Sequence, residues 1–121
     1  MTTRTVRPLL ALQTTALAMA ALITKATAQA DATAYVLNVT IRPGYHFANA
    51  QDAIGYGLQV CDKVSQGRSY GQVMGEVKND FSTADEYQAS YLIAQAINEL
   101  CPALIWQLRN SAANYRPAEA P

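Results

Sequence analysis

The sequence predicts an all-α fold, a small bundle of about four helices in the chain that follows an N-terminal export segment, closed by one disulfide. Three observations predict it. The stretch after Ser82 repeats apolar residues at helical spacing, the segments opening at Asn49 and Ser69 begin with helix-capping residues, and the two cysteines fall on the inward rows of two of these helices. At 121 residues, half of them apolar, the chain has room for one globular domain.

Residues 1–30 have the three-part layout of a secretory signal peptide. Arg4 and Arg7 come first, an apolar run extends from Leu9 to Ile23, and small residues close it at Ala28-Gln29-Ala30, with cleavage expected after Ala30. The apolar run is shorter than the ~20 residues a membrane span needs and is interrupted by Gln13, Thr14 and Thr15, so no stable membrane anchor is expected after processing. Removal takes Arg4, Arg7 and Lys25 with it and leaves six basic against nine acidic residues, a charge near −3. Without a basic patch, nucleic acid is not an expected partner. The expected location is secreted or in the cell envelope.

From Asp31 to Ile41 the short apolar run Tyr35, Val36, Leu37, Val39 and Ile41 is readable as strand or helix, with the balance toward helix. Arg42-Pro43-Gly44 breaks it, and a loop carrying Tyr45, His46 and Phe47 follows. Asn49 caps the next helix, which runs to Gln66, stops at Gly67 and turns Ile54, Gly57, Cys61 and Val64 inward. Gly57, and Gly55 beside it, lower helix propensity by roughly 1 kcal/mol each, a cost tolerated where another backbone approaches closely. Ser69 with Gln72 makes a capping box for a short helix whose stripe is Tyr70, Val73, Met74 and Val77 and which ends at Asn79-Asp80.

The last predicted helix, capped by Ser82 or Thr83, carries the rows Ala89, Ile93, Ile97, Cys101 and Leu92, Ala96, Leu100, Leu104. Pro102 either opens a helical continuation through Leu104, Ile105, Trp106 and Leu108 or ends the helix outright. The helical domain is expected over residues 31–109. Residues 110–121, rich in Ala, Asn and Pro, carry too little apolar surface to pack and are expected to form a disordered tail.

Two cysteines in a small exported chain are oxidised to each other as a rule, so Cys61 and Cys101 are expected to pair. Closing a loop of about 40 residues stabilises a fold by roughly 4 kcal/mol in the chain-entropy estimate. Metal ligation and thiol chemistry lack support, because there is no Cys-x-x-Cys and His46 is the single histidine.

No hydrolase elbow, phosphate loop or zinc signature is present, and no enzyme is expected. A paired-carboxylate hydrolase would have to use Asp80, Asp85 and Glu86, acids that more often serve a helix start. Two other features bear on binding. Tyr45-His46-Phe47 could hold haem or another apolar small molecule, and Trp106 with its apolar neighbours forms either a partner-facing patch or a contact buried across the second helix. Of the seven tyrosines, Tyr35, Tyr70, Tyr87 and Tyr91 are expected in packing positions. Asn38-Val39-Thr40 matches the N-glycosylation acceptor pattern, relevant only in a secretory pathway that reads it.

The segments Ala53-Ile54-Gly55-Tyr56-Gly57-Leu58-Gln59-Val60-Cys61-Asp62, closed by Gly67, and Ala96-Ile97-Asn98-Glu99-Leu100-Cys101-Pro102 together resemble the domain of unknown function 732 family. The resemblance covers roughly Asp31 to Pro102 and implies short exported proteins, mostly mycobacterial, with an all-helical domain, a bridged cysteine pair and no assigned activity. The chain departs from that pattern after Pro102. The reading is therefore a non-catalytic binding or interaction module with an unknown protein or small-molecule partner and no expected cofactor, a carrier being the alternative and a small hydrolase a remote one.

Overall fold

The computed structural model describes residues 32–117, so the expected signal peptide and cleavage site lie outside the described residues. Among the described residues there are five α-helices, one 3-10 turn and no strand. They are α1 (32–41), α2 (Ala50–Ser65), α3 (Tyr70–Asp80), α4 (Glu86–Leu100), the 3-10 turn Pro102–Leu104 and α5 (Ile105–Ala112). None is long and apolar enough to cross a membrane.

The first segment is helix because only that period puts its large side chains to use. Tyr35 and Val39, four residues apart, are fully buried, while Leu37 and Ile41 turn to solvent on the opposite side. Three hydrogen bonds seat α1. The Tyr35 hydroxyl donates to the Ala53 carbonyl at 2.8 Å, the Asn38 amide to Gln95 Oε1 at 2.8 Å, and the Tyr91 hydroxyl to the Asn38 carbonyl at 3.3 Å. The amide of the Asn38 acceptor pattern is thus already engaged by the fold.

Helix α2 starts where its cap requires. Asn49 is extended and its side chain accepts from the Asp52 N–H at 2.8 Å, while Gly67 ends the helix at φ +88°, where a Cβ would be strained. Its buried face is Ala53, Gly57, Val60, Cys61 and Val64. Ile54, expected inward, is only half-buried, because the seam follows Ala53 and Val60. Gly57 is a close approach, made by side chains rather than by the backbone its propensity cost suggested. A Cβ there would lie 2.6 Å from Leu100 Cδ1 and 2.7 Å from Tyr35 Cζ. Gly55 meets nothing within 4 Å and has no such role.

Helix α3 carries the full capping box of Ser69 and Gln72 and buries Val73, Met74 and Val77. Glu76 ties it back to α2 through an ion pair with Lys63 at 3.0 Å and to the α2–α3 connection through Arg68, and the Lys63 contact leads the effects that hold the Glu76 carboxyl below its ordinary range.

Neither Ser82 nor Thr83 caps α4. Their N–H groups end α3 by donating to the carbonyls of Asn79 and Lys78, Ser82 sits in the left-handed region at φ +49°, and the Thr83 hydroxyl accepts from the Asp85 N–H at 3.1 Å, one residue short of the helix itself. Asp85 takes the cap, its carboxylate accepting from the Tyr87 N–H at 2.9 Å. From there α4 buries Ala89, Leu92, Ile93, Ala96 and Ile97, while Leu100, Cys101 and Leu104, the C-terminal members of the two expected rows, are half-buried, and the helix packs extensively on α2.

Pro102 does both things that were open. The α-helix ends at Leu100, Cys101 leaves helical geometry, and Pro102 opens the 3-10 turn that leads into α5. Helix α5 then continues to Ala112, three residues past the expected domain limit at Arg109. The chain beyond Arg109 is also tethered as far as Tyr115. Ser111 Oγ accepts from the Tyr70 N–H at 2.6 Å, and the Tyr115 ring meets Tyr70 edge-on with centroids 4.9 Å apart. Apolar content alone underestimates this segment, because its attachment relies on a hydroxyl, an aromatic edge and a free helix N-terminal donor.

Candidate functional site

Cys61 near the end of α2 and Cys101 just after α4 are bonded, with Cα atoms 6.2 Å apart, inside the span that allows a bridge without backbone movement. The bond joins α2 near its C-terminal end to the C-terminal end of α4. It is structural in placement, with Cys61 buried among the core side chains and Cys101 packed against them.

The loop triad Tyr45-His46-Phe47 splits. Tyr45 is buried and donates its hydroxyl to the Gln88 carbonyl at 2.6 Å. Burial pushes its phenol up to about 12, opposed by the nearby Arg42 charge, so the ring is a neutral donor and not a ready phenolate ligand. Phe47 joins Tyr45, Tyr56 and Phe81 in an aromatic cluster with centroids 5.1–6.3 Å apart. Within it the Tyr56 hydroxyl donates to Asp80 at 2.8 Å, and burial, followed by that hydrogen bond, raises the Tyr56 phenol well above its ordinary range. His46 is turned outward at φ +53° and borders, with Arg42, Pro43, Gly44 and Phe47, a depression of about 190 Å³. The three residues therefore do not converge on one point.

The acids at the α3–α4 junction have separate partners: Asp80 receives Tyr56, Asp85 caps α4, and Glu86 is shared between Lys78 and the Tyr115 hydroxyl. No group of three or more His, Cys, Asp or Glu residues that could hold a metal ion exists among the described residues.

Trp106 is 70% exposed on α5, whereas its neighbours Leu104, Ile105 and Leu108 pack on the core and Gln107 donates to the Val64 carbonyl at 2.5 Å. The helix is thus pinned by one side and presents the indole on the other. The Arg109 guanidinium lies over that indole, 5.3 Å from the ring centroid.

Of the four tyrosines expected in packing positions, Tyr35 is fully buried and Tyr70 and Tyr91 are half-buried. Tyr87 is 62% exposed and corrects that expectation, because it stands at the second position of α4, ahead of the first fully buried residue, Ala89. Arg42 lies over both Tyr87 and Tyr91, at 4.5 and 4.3 Å from the centroids. Sequence does not reveal that stack, since Arg42 lies 45 and 49 positions before Tyr87 and Tyr91 and no local pattern joins it to the two tyrosines, which are one helical turn apart. Leu37 and Ile41 were grouped with the apolar run of α1 without a direction. Once the segment is helical, their four-residue offset places them together on its solvent side.

These features define a small disulfide-stapled helical domain with surface-facing aromatic groups. The chain belongs to the family described as Protein of unknown function (DUF732), whose model matches residues 29–103. No curated protein and no solved structure matches it.

Proposed function

We propose that this chain is an exported, non-catalytic interaction module that engages a protein partner through the outer face of α5. The observation that carries the reading is the exposure of Trp106 with Arg109 stacked on it. Trp and Arg are the side chains most often found at energetic hot spots of interfaces, and here neither is needed to hold α5 down. Leu104, Ile105, Leu108 and Gln107 do that. The partner it fits offers an apolar pocket for the indole and an acidic group for the guanidinium.

Export is supported by the bonded cysteine pair, which persists in oxidising compartments, and by the basic, apolar and small-residue order of residues 1–30. Secretion or retention in the cell envelope follows from the same reading.

Mature protein immobilised through its N-terminus and exposed to culture filtrate and envelope extract tests the interface. A specific partner retained by the wild type and reduced at least tenfold by Trp106→Ala, with unchanged circular dichroism, is the expected result. Equal retention by the variant would remove α5 as the docking face. Haem carriage has less support. His46 is exposed on a shallow loop depression, and the Tyr45 hydroxyl is committed to Gln88.

A further inference from the structure

The segment after the family-matched residues adds a wall to a second aromatic site. Between α3 and α4 lies a mostly apolar depression of about 290 Å³, lined by Tyr70, Met74, Glu86, Tyr87, Ser90, Tyr115 and Pro117. Tyr115 and Pro117, which form part of its lining, fall beyond residue 103, where the family match ends. Tyr115 is held in place by its hydroxyl, which donates to Glu86 Oε2 at 2.5 Å, and by its edge-on contact with Tyr70.

The lining is therefore three tyrosine rings and a thioether around one carboxylate. Aromatic faces carry negative potential, and a cage of them attracts a cation that sheds its water easily. Tyr87 carries the Arg42 guanidinium over its ring, and Arg42 itself is not among the residues lining the depression. Both Glu86 oxygens are engaged, one with Lys78 and the other with Tyr115. The rest of the lining is mostly apolar, so attraction for a cation comes mainly from the rings, which suits a quaternary ammonium with no N–H hydrogen bonds to water to give up. The volume, at the lower limit of small-molecule sites, suits a headgroup and is too small for a macrocycle.

The geometry points to a binding site for a trimethylammonium group, boxed by Tyr70, Tyr87 and Tyr115, that the C-terminal segment completes on the family domain. Free molecules and lipid headgroups both carry this group, and the experiment below distinguishes the two sources.

Titration of the mature protein with choline, followed by nuclear magnetic resonance of the tyrosine rings, tests it. Saturable shifts at Tyr70, Tyr87 and Tyr115 are expected, with 3,3-dimethyl-1-butanol, the neutral isostere, binding roughly tenfold more weakly. Tyr115→Phe keeps the ring and retains binding. Tyr87→Ala removes an exposed wall without touching the core and lowers affinity about tenfold. Phosphatidylcholine vesicles that compete with choline would assign the group to a lipid, and vesicles that do not compete would assign it to a free molecule. Absence of saturable shifts at millimolar choline, or equal affinity for the neutral isostere, overturns the proposal.

Discussion

The stapled core and the C-terminal segment are held by different means. Helices α2 and α4 bury continuous apolar rows, Ala53, Val60 and Val64 against Leu92, Ile93, Ala96 and Ile97, and share the disulfide at one end. The 3-10 turn and α5 contain no fully buried residue. They are attached by half-buried Leu104, Ile105 and Leu108, by hydrogen bonds that the Gln107 side chain and, just past α5, the Tyr115 hydroxyl donate, and by one that the Ser111 hydroxyl accepts. The core is specified by volume and shape. The C-terminal segment is specified by a few directed contacts, and that leaves its other face, with Trp106, exposed.

The largest expected difference between the two regions comes from matched leucines. Leu92→Ala opens a cavity among fully buried neighbours and should lower unfolding free energy by about 2–5 kcal/mol. Leu108→Ala, at a half-buried site able to relax, should lower it by about 1 kcal/mol. Denaturant titration of both variants measures this, and equal losses would mean that α5 belongs to the core after all.

A second contrast uses two helical glycines. At Gly57 a Cβ collides with Leu100 and Tyr35, so Gly57→Ala should destabilise by about 1–3 kcal/mol through overpacking. At Gly75 a Cβ meets nothing within 4 Å, and Gly75→Ala should stabilise by up to about 1 kcal/mol through helix propensity. Opposite signs in thermal melts are expected. A gain at Gly57 would show that α2 and α4 can move apart at no cost.

The smallest effect is in the C-terminal segment. Tyr115→Phe deletes the hydroxyl that reaches Glu86 and should change global stability by about 1 kcal/mol or less. Amide hydrogen exchange should nonetheless speed up in α5 while α4 stays protected. Uniform acceleration across both helices would indicate a single cooperative unit.

Much of the fold was legible from local signals. Asn49, the Ser69–Gln72 box and Gly67 mark helix ends through bonds made within a few residues, and the rows of α4 are visible because a helical period repeats over several turns. The cap of α4 was misplaced because Ser82, Thr83 and Asp85 are all capping types, and only the termination of α3 decides which is left free. The candidate site was less legible. Tyr45, His46 and Phe47 are neighbours in the chain but not in function, since the loop buries one, exposes the next and stacks the third.

By itself, then, the sequence determined the helical class, the single possible cysteine pairing and the helices that pairing joins, because these follow from periodicity, capping chemistry and a count of two thiols. The tertiary structure decided which way Trp106 faces, that Arg42 rests on Tyr87 and Tyr91, and that Tyr115 returns to meet Tyr70 and Glu86. Those contacts join residues 29 to 49 positions apart, or depend on which side of α5 the core covers, and no local pattern encodes either.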